Sequence, residues 1–276
     1  MAFVPSIQLN NGTEIPQLGL GVFQVPAART APVVRAAFDL GYRHIDTAQM
    51  YGNEEGVGRA LAEPGAPPRA EGFITTKLDN ARHGYDEAVR ALEESLLRLG
   101  TDYVDLYLIH WPQPRRNQYV ETWKGFEKVL ADGRARAIGV SNFTIEHLER
   151  LAAESGTIPA VNQIELHPWL TQRELREYHR EHGIVTEAYS PLAQGGELLQ
   201  EPVITELARA HGRTPAQIVL RWHIQLGNVV FPKTTRPERM RENIDVFDFE
   251  LSDDEMGMID ALDRGLRLNP DPRHFG

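Results

Sequence analysis

Ala88-Val89-Arg90-Ala91-Leu92-Glu93-Glu94-Ser95-Leu96-Leu97-Arg98-Leu99 is followed, after four residues, by Val104-Asp105-Leu106-Tyr107-Leu108-Ile109-His110. In the first stretch Ala88, Leu92, Leu96 and Leu99 return every three or four positions, the period of a helix with one buried face. The second is a short apolar run of strand length that ends on an ionisable side chain. Together they make one helix-then-strand unit, and the unit recurs. Leu18–Phe23, Tyr42–Ala48, Phe73–Leu78, Ala135–Ser141, Ala160–Leu166, Ile184–Ser190 and Val229–Lys233 are strand-like runs of the same kind, separated by helical patterns such as Ile145, Leu148 and Leu151. Thr171 with Glu174, Thr214 with Gln217 and Ser252 with Glu255 each have the spacing of a helix-starting capping box, and Pro215 stands where a first-turn proline is harmless.

Alternating strands and helices predict parallel strands joined by crossover helices. The runs end near residues 22, 46, 77, 110, 141, 165, 189 and 233, so successive ends lie 24 to 33 residues apart until the last interval of 44. That interval holds two helical patterns, 202–210 and 216–226, and predicts an extra helix after the seventh strand. Eight units within 276 residues predict an α/β fold, a (β/α)8 TIM barrel, as one domain over residues 1–276 with additional helices toward the C-terminus. Ahead of them, Ile7–Ile15 carries Asn10-Asn11-Gly12, a turn signal for a β-hairpin that would plug the N-terminal end of the barrel.

Composition narrows the function. The absence of cysteine excludes thiolate metal sites, disulfides and a cysteine nucleophile. Twenty-nine Lys and Arg against 39 Asp and Glu leave a net charge of −10, which disfavours nucleic acid and anionic membranes as partners and requires that any anionic ligand be held by local cations. Met1–Gly12 has no basic-then-apolar pattern and no apolar run approaches the ~18 residues of a membrane span, so a cytoplasmic monomer is expected.

In a barrel of this type chemistry collects at the C-terminal mouths of the strands. Asp46, Lys77 and His110 end the second, third and fourth runs, and Tyr51 follows Asp46 in its loop. A phenol of pKa ~10 is a reluctant proton carrier at neutral pH. A lysine beside it favours the phenolate, a carboxylate can hold that lysine charged, and an imidazole can orient a substrate oxygen. Glu165, Gln163 and Tyr189 stand at the sixth and seventh mouths. Lys233, Thr234 and Arg239 follow the last strand beside a helix expected to begin near Pro237, a place where barrels bind phosphate. The competing reading is that Arg239 and Arg241 pair with Glu238 and Glu242 on a solvent-facing helix. His179 and His182 lack a metal-binding context and are expected to be solvated, and no ligand set for a metal is evident.

The residues also resemble a known family. Gly41-Tyr42-Arg43-His44-Ile45-Asp46-Thr47-Ala48 with Tyr51-Gly52-Asn53-Glu54, the Thr-Thr-Lys ending at Lys77, Asp105–Pro112, Gly139-Val140-Ser141-Asn142-Phe143 and Phe231-Pro232-Lys233 are similar to the aldo-keto reductases, in particular the bacterial 2,5-diketo-D-gluconate reductase-like group. The likeness extends from Pro5 to about Asp263. It implies NADPH-dependent reduction of aldehydes and ketones, keto sugars, keto acids or small dicarbonyls among them, without metal. Tyr51 would be the proton donor, Lys77 its activator, Asp46 the partner of Lys77, and His110 the residue that orients the carbonyl. Ser141, Asn142 and Gln163 would meet the nicotinamide carboxamide, Tyr189 the ring, Lys233, Thr234 and Arg239 the 2′-phosphate, and Asn243 the adenine. Val22, Phe23, Met50, Trp111 and Gln194 would contact substrate.

The chain departs from the family pattern at Asp79, where many relatives carry tryptophan, and in a short tail after Gly265. Asp79 either replaces an apolar wall and disfavours acidic substrates, or turns away to solvent. Two alternatives stand beside the reductase: a nicotinamide-binding sensor with little turnover, and a Schiff-base lyase using Lys77.

Overall fold

The computed structural model describes residues 4–276, so Met1–Phe3, the first residues of the segment expected to carry no export signal, lie outside the described residues. A hairpin comes first, with β1 (Ser6–Gln8) antiparallel to β2 (Glu14–Pro16). Strands and helices then alternate: β3 (Leu20–Gly21), α1 (Ala27–Asp39), β4 (His44–Asp46), α2 (Glu54–Ala62), β5 (Phe73–Leu78), α3 (Tyr85–Leu99), β6 (Val104–Ile109) and α4 (Tyr119–Ala131). The alternation continues through β7 (Ala135–Ser141), α5 (Ile145–Glu154), β8 (Val161–Glu165), α6 (Arg173–Glu181) and β9 (Val185–Tyr189). The expected extra helix is present: α7 (Pro202–His211) and α8 (Pro215–Gln225) both precede β10 (Val229–Val230), and α9 (Pro237–Ile244) and α10 (Asp253–Asp260) complete the order.

Strands β3 to β10 form one parallel sheet in chain order. The sheet closes on itself, because Gly19 N donates to Val230 O at 2.8 Å and Val230 N donates to Gln17 O at 3.0 Å. This is the (β/α)8 barrel. Every residue of β5 and β6 is buried, since helices cover the outside and packed side chains the inside, which is why β6 reads as a nearly continuous apolar run. The hairpin plugs one end. Leu9 and Ile15 pack with Leu106, Leu108, Val161 and Val229, while Asn11 Nδ2 ties the turn to Arg136 O at 2.9 Å. Closure leaves the other end for a site, and register sets its neighbours: Ser141 pairs with Gln163, and Gln163 with Glu187.

Several local expectations need correction. The first and last barrel strands are two residues long, shorter than the runs 18–23 and 229–233. Pro232 has no N–H for a ladder, and residues 231–234 turn toward the barrel mouth instead. Thr214 and Ser252 form their capping boxes, but Thr171 does not; α6 begins after Gln172, and the Thr171 hydroxyl donates to Asp263. A capping box that the acidic-partner rule passes over joins Thr144 to His147 at the start of α5. His179 is not solvated. It lies fully buried between α6 and the sheet, 2.9 Å from both Asn162 Nδ2 and Thr186 Oγ1, and burial pulls its imidazole down to about 3. His182, past the last turn of α6, is exposed as expected.

Candidate active site

Asp46 ends β4, Lys77 is the penultimate residue of β5, and His110 follows β6, so three adjacent strands deliver their side chains to one end of the barrel. Tyr51 arrives on a single helical turn, Gln49–Tyr51, stopped by Gly52 at φ +63°. The turn is anchored from both sides. Asn53 Nδ2 donates to Val22 O at 2.9 Å and Val25 O at 3.2 Å while its Oδ1 accepts from Thr47 Oγ1 at 2.7 Å. Glu54 is buried and accepts from Thr76 Oγ1 and Arg98 Nε, each at 2.6 Å.

At the centre Lys77 Nζ donates to Asp46 Oδ1 at 2.6 Å, to Thr47 O at 2.9 Å and to the Tyr51 hydroxyl at 3.4 Å. All three ammonium hydrogens are thereby used. Burial alone would lower the Lys77 pKa, but Asp46 and Tyr51 outweigh it and the ammonium is held charged, above its ordinary range. Burial also presses the Asp46 carboxyl upward, against Lys77 and Gln163. With an ammonium on one oxygen and the Gln163 amide on the other at 2.9 Å, the ionised form holds. For Tyr51 burial is again the largest influence and raises its pKa, while Lys77 pulls it back. This corrects the expectation that lysine would leave the phenol inclined to ionise. The net effect keeps the phenolic proton in place, the state a proton donor needs.

His110 meets Tyr51 edge to face, with ring centroids 5.8 Å apart. Burial, then the charge of Lys77, pulls its imidazole down to about 3, so the ring is neutral at ordinary pH. Its Nδ1 is buried without a hydrogen-bond partner. A ring proton on Nε2 avoids burying an unpaired N–H and makes the ring a donor toward the cavity.

These groups open into a cavity of about 990 Å³. Of the residues singled out from the sequence, Asp46, Tyr51, His110, Ser141, Asn142, Gln163, Tyr189, Lys233, Thr234, Arg239, Asn243, Phe23, Met50, Trp111 and Gln194 line it. Lys77 is directly behind Tyr51, fully buried. Val22 is a correction: its side chain is fully buried and does not line the cavity, because this stretch turns its carbonyl to Asn53.

Along the wall, Ser141 Oγ donates to Gln163 O at 2.9 Å, Asn142 Nδ2 to His110 O at 3.0 Å, and the Tyr189 hydroxyl to Asn142 Oδ1 at 2.7 Å. These bonds lock a polar surface beside Tyr51 suited to an amide-bearing ring. At the other end Lys233 and Arg239 are exposed, and among the described residues neither Arg239, Arg241 nor Lys233 joins an ion pair. The expected alternative pairing on α9 is absent there; Glu242 accepts from Thr214 Oγ1 at 2.7 Å. Two unpaired cations and the Thr234 hydroxyl beside the start of α9 have the chemistry to hold a phosphate. The long cavity thus pairs an amide-recognising wall with a phosphate-binding end, and its donor set fits a nicotinamide dinucleotide phosphate.

The opposite rim is apolar. Phe23 is 54% exposed and Met50 50% exposed, and Phe275 packs on Trp111 with centroids 4.4 Å apart. Asp79 takes the second of its two expected positions: its Oδ1 caps a short turn by accepting from Ala81 N at 2.8 Å, and it does not line the cavity. Several lining residues escaped the sequence reading. Around the expected Gln194, Ser190, Pro191, Leu192, Gly195 and Gly196 also line it, and Ser190, Ala193, Gln194, Gly195 and Gly196 all have positive φ, a conformation signalled only by the Gly-Gly pair. Glu165 points to the C-terminal tail, accepting from Leu268 N at 2.6 Å and Asn269 N at 3.0 Å, and so carries Asn269 to the cavity wall.

Glu187 was also missed. This buried carboxyl accepts one bond, from Gln163 Nε2 at 2.8 Å, and its Oε1 has no partner. Burial, then the nearby Asp46 charge, pushes it up to about 8 from 4.5. Between those values the unfolded chain has lost a proton that the fold retains, so this group's contribution to stability falls as pH rises from about 4.5 through about 8. Glu187→Gln should therefore raise the Tm more at about pH 9 than at about pH 5. Thermal melts showing the same shift at both pH values would contradict this.

Comparison with known proteins agrees with the geometry. Residues 17–264 match the Aldo/keto reductase family, and the chain belongs to that family. It is 56% identical over 271 residues to an aldo-keto reductase of Mycolicibacterium smegmatis, covering 98% of each chain. A methylglyoxal reductase of Escherichia coli is 50% identical over 277 residues, with full coverage of both, and a morphine 6-dehydrogenase of Pseudomonas putida is 53% identical, with 98% and 95% covered. Among solved structures, a variant of Gox0644 in complex with NADPH superposes with a TM-score of 0.95 at 48% identity over 99% of each chain. Among the described residues no helix is long and apolar enough to cross a membrane.

Proposed function

We propose that this protein reduces aldehydes and ketones to alcohols with NADPH, and that Tyr51 supplies the proton. The observation that carries the reading is the pairing, in one cavity, of a Tyr51–Lys77–Asp46 chain and a neutral His110 with two unpaired cations at the far end. The relatives named for reductase or dehydrogenase activity and the NADPH-bound neighbour support it.

When bound, the reduced nicotinamide supplies the hydride that the carbonyl carbon receives. The protein's part is to place and polarise. His110 donates from Nε2 to the carbonyl oxygen and fixes the face that the carbon presents. Tyr51 donates its proton to that oxygen as negative charge develops there, and Lys77 stabilises the phenolate left behind. Asp46 keeps Lys77 charged without competing for the phenolic proton, because its own oxygens are taken by Lys77 and Gln163. Ser141, Asn142 and Gln163 meet the carboxamide, Tyr189 the ring, Lys233, Thr234 and Arg239 the 2′-phosphate, and Asn243 the adenine. Phe23, Met50, Trp111 and Gln194 bound the substrate. The apolar rim, with Asp79 turned aside, suits uncharged carbonyl compounds, small dicarbonyls included.

The same reading takes residues 1–276 as a single barrel domain, supported by a family match running through most of the barrel. It also takes the protein as a cytoplasmic monomer.

Purified protein should consume NADPH with simple aldehydes and dicarbonyls, and no turnover across a broad carbonyl panel would refute the reading. Replacing Lys233 and Arg239 together with Met should raise the Kd for NADPH about 100-fold and that for NADH less than about threefold, as expected for two partly solvated charge-assisted contacts. Equal losses for both cofactors, measured by fluorescence titration, would contradict the 2′-phosphate assignment.

A further inference from the structure

Glu187 sits in the middle of β9 with its side chain inside the barrel, where an uncompensated carboxyl is costly. Its strand neighbour on β10 is Val229, which offers no polar side chain, and its only hydrogen bond among the described residues is to Gln163. The carboxyl therefore makes no polar contact except with one amide, and that amide lines the cavity.

Gln163 Nε2 lies 2.9 Å from Asp46 Oδ2 and 2.8 Å from Glu187 Oε2. An amide nitrogen has two hydrogens, and here each has a carboxyl oxygen as its acceptor. Turning the amide over would bring its carbonyl oxygen against both carboxyl oxygens, and Asp46, held ionised by Lys77, has no proton to offer it. Gln163 Oε1 takes no bond from the described residues and is not among the buried atoms without a partner, so it is open to the cavity.

We propose that Glu187 is a positioning residue: together with Asp46 it holds both amide hydrogens of Gln163, so that Gln163 meets the cofactor's nicotinamide only as a hydrogen-bond acceptor. The inference rests on the nicotinamide reading given above. Its consequence is selectivity for the donor half of the carboxamide, the NH2 group. A cofactor whose ring carries an acetyl group in place of the carboxamide has no hydrogen to give Gln163. With Glu187 removed, one amide hydrogen becomes free, and Gln163 can then serve either kind of ring substituent.

The test compares binding of NADPH and of its 3-acetylpyridine analogue by fluorescence titration, without turnover, for the wild-type protein, Glu187→Met and Glu187→Gln. Wild-type protein should prefer NADPH by about tenfold, one hydrogen bond's worth. Glu187→Met should bring the ratio within about threefold, and Glu187→Gln, whose side-chain oxygen can still accept from Gln163, should restore it. A carboxyl that merely fills space would weaken both ligands alike, so an unchanged ratio in a folded Glu187→Met variant overturns the proposal. Should that variant not fold, a ratio that collapses in Glu187→Gln overturns it as well. Wild-type protein that binds neither dinucleotide would instead defeat the nicotinamide reading itself, and the proposal with it.

Discussion

Tyr51→Phe is expected to lower kcat for carbonyl reduction by about 10³-fold while leaving NADPH affinity within about threefold. The substitution removes one hydroxyl and keeps the ring, so the tilted contact with Phe23 and the edge contact with His110, at centroid distances of 5.0 and 5.8 Å, should persist. What is lost is the phenol that Lys77 contacts, and with it the proton that the developing alkoxide requires. His110 cannot substitute as an acid: its imidazole, pulled down to about 3 by burial, is already neutral at working pH. Steady-state kinetics and a cofactor titration on the same preparation separate these effects. A variant with near-normal kcat would remove Tyr51 from its role, and one that no longer binds cofactor would make it a binding residue.

Lys77→Met is expected to be damaging twice over. It leaves Asp46 buried without the ammonium 2.6 Å away, a loss on the order of 3–5 kcal/mol. It also removes the charge that stabilises the Tyr51 phenolate, so kcat should fall by at least about 10²-fold. The two effects have different pH signatures. In the variant, burial is opposed only by Gln163, so the Asp46 carboxyl moves further above its ordinary value of 3.8. A folded-state pKa raised above the unfolded value favours the fold at low pH and is lost as pH rises through it. The Tm deficit of Lys77→Met relative to wild type should therefore widen from mildly acidic to mildly alkaline pH. A constant deficit would mean that Asp46 stays ionised without Lys77, contrary to the charge balance described.

The barrel is legible in the sequence because parallel strands covered on both sides are rich in apolar and β-branched residues. Residues 73–78 and 135–141 read as strands for that reason, with ends matching the structure, and the run 104–110 overshoots β6 by His110 alone. The closing strands β3 and β10 are harder to read, since a strand of two residues has almost no period. The cavity-lining groups at strand ends stand out as polar residues following apolar runs, whereas Glu187 is hidden: a carboxyl in mid-strand has no sequence sign of which way it points. His179 reads as solvated because an isolated polar residue on a helix gives no sign of the partners, Asn162 and Thr186, that two strands bring to it. The tail beyond Asp263 has no period at all, and its path depends on Glu165, about a hundred residues earlier, receiving the backbone N–H groups of Leu268 and Asn269.

The central claim is that hydride passes from a nicotinamide bound in this cavity to a carbonyl carbon while Tyr51 protonates the oxygen. Its most direct test is to supply NADPH carrying deuterium on the transferable position of the ring and to examine the product alcohol by mass spectrometry. The predicted result is one deuterium on the former carbonyl carbon per NADPH oxidised, with transfer nearly abolished in Tyr51→Phe. Alcohol formed without the label, or cofactor oxidised without alcohol, would contradict it.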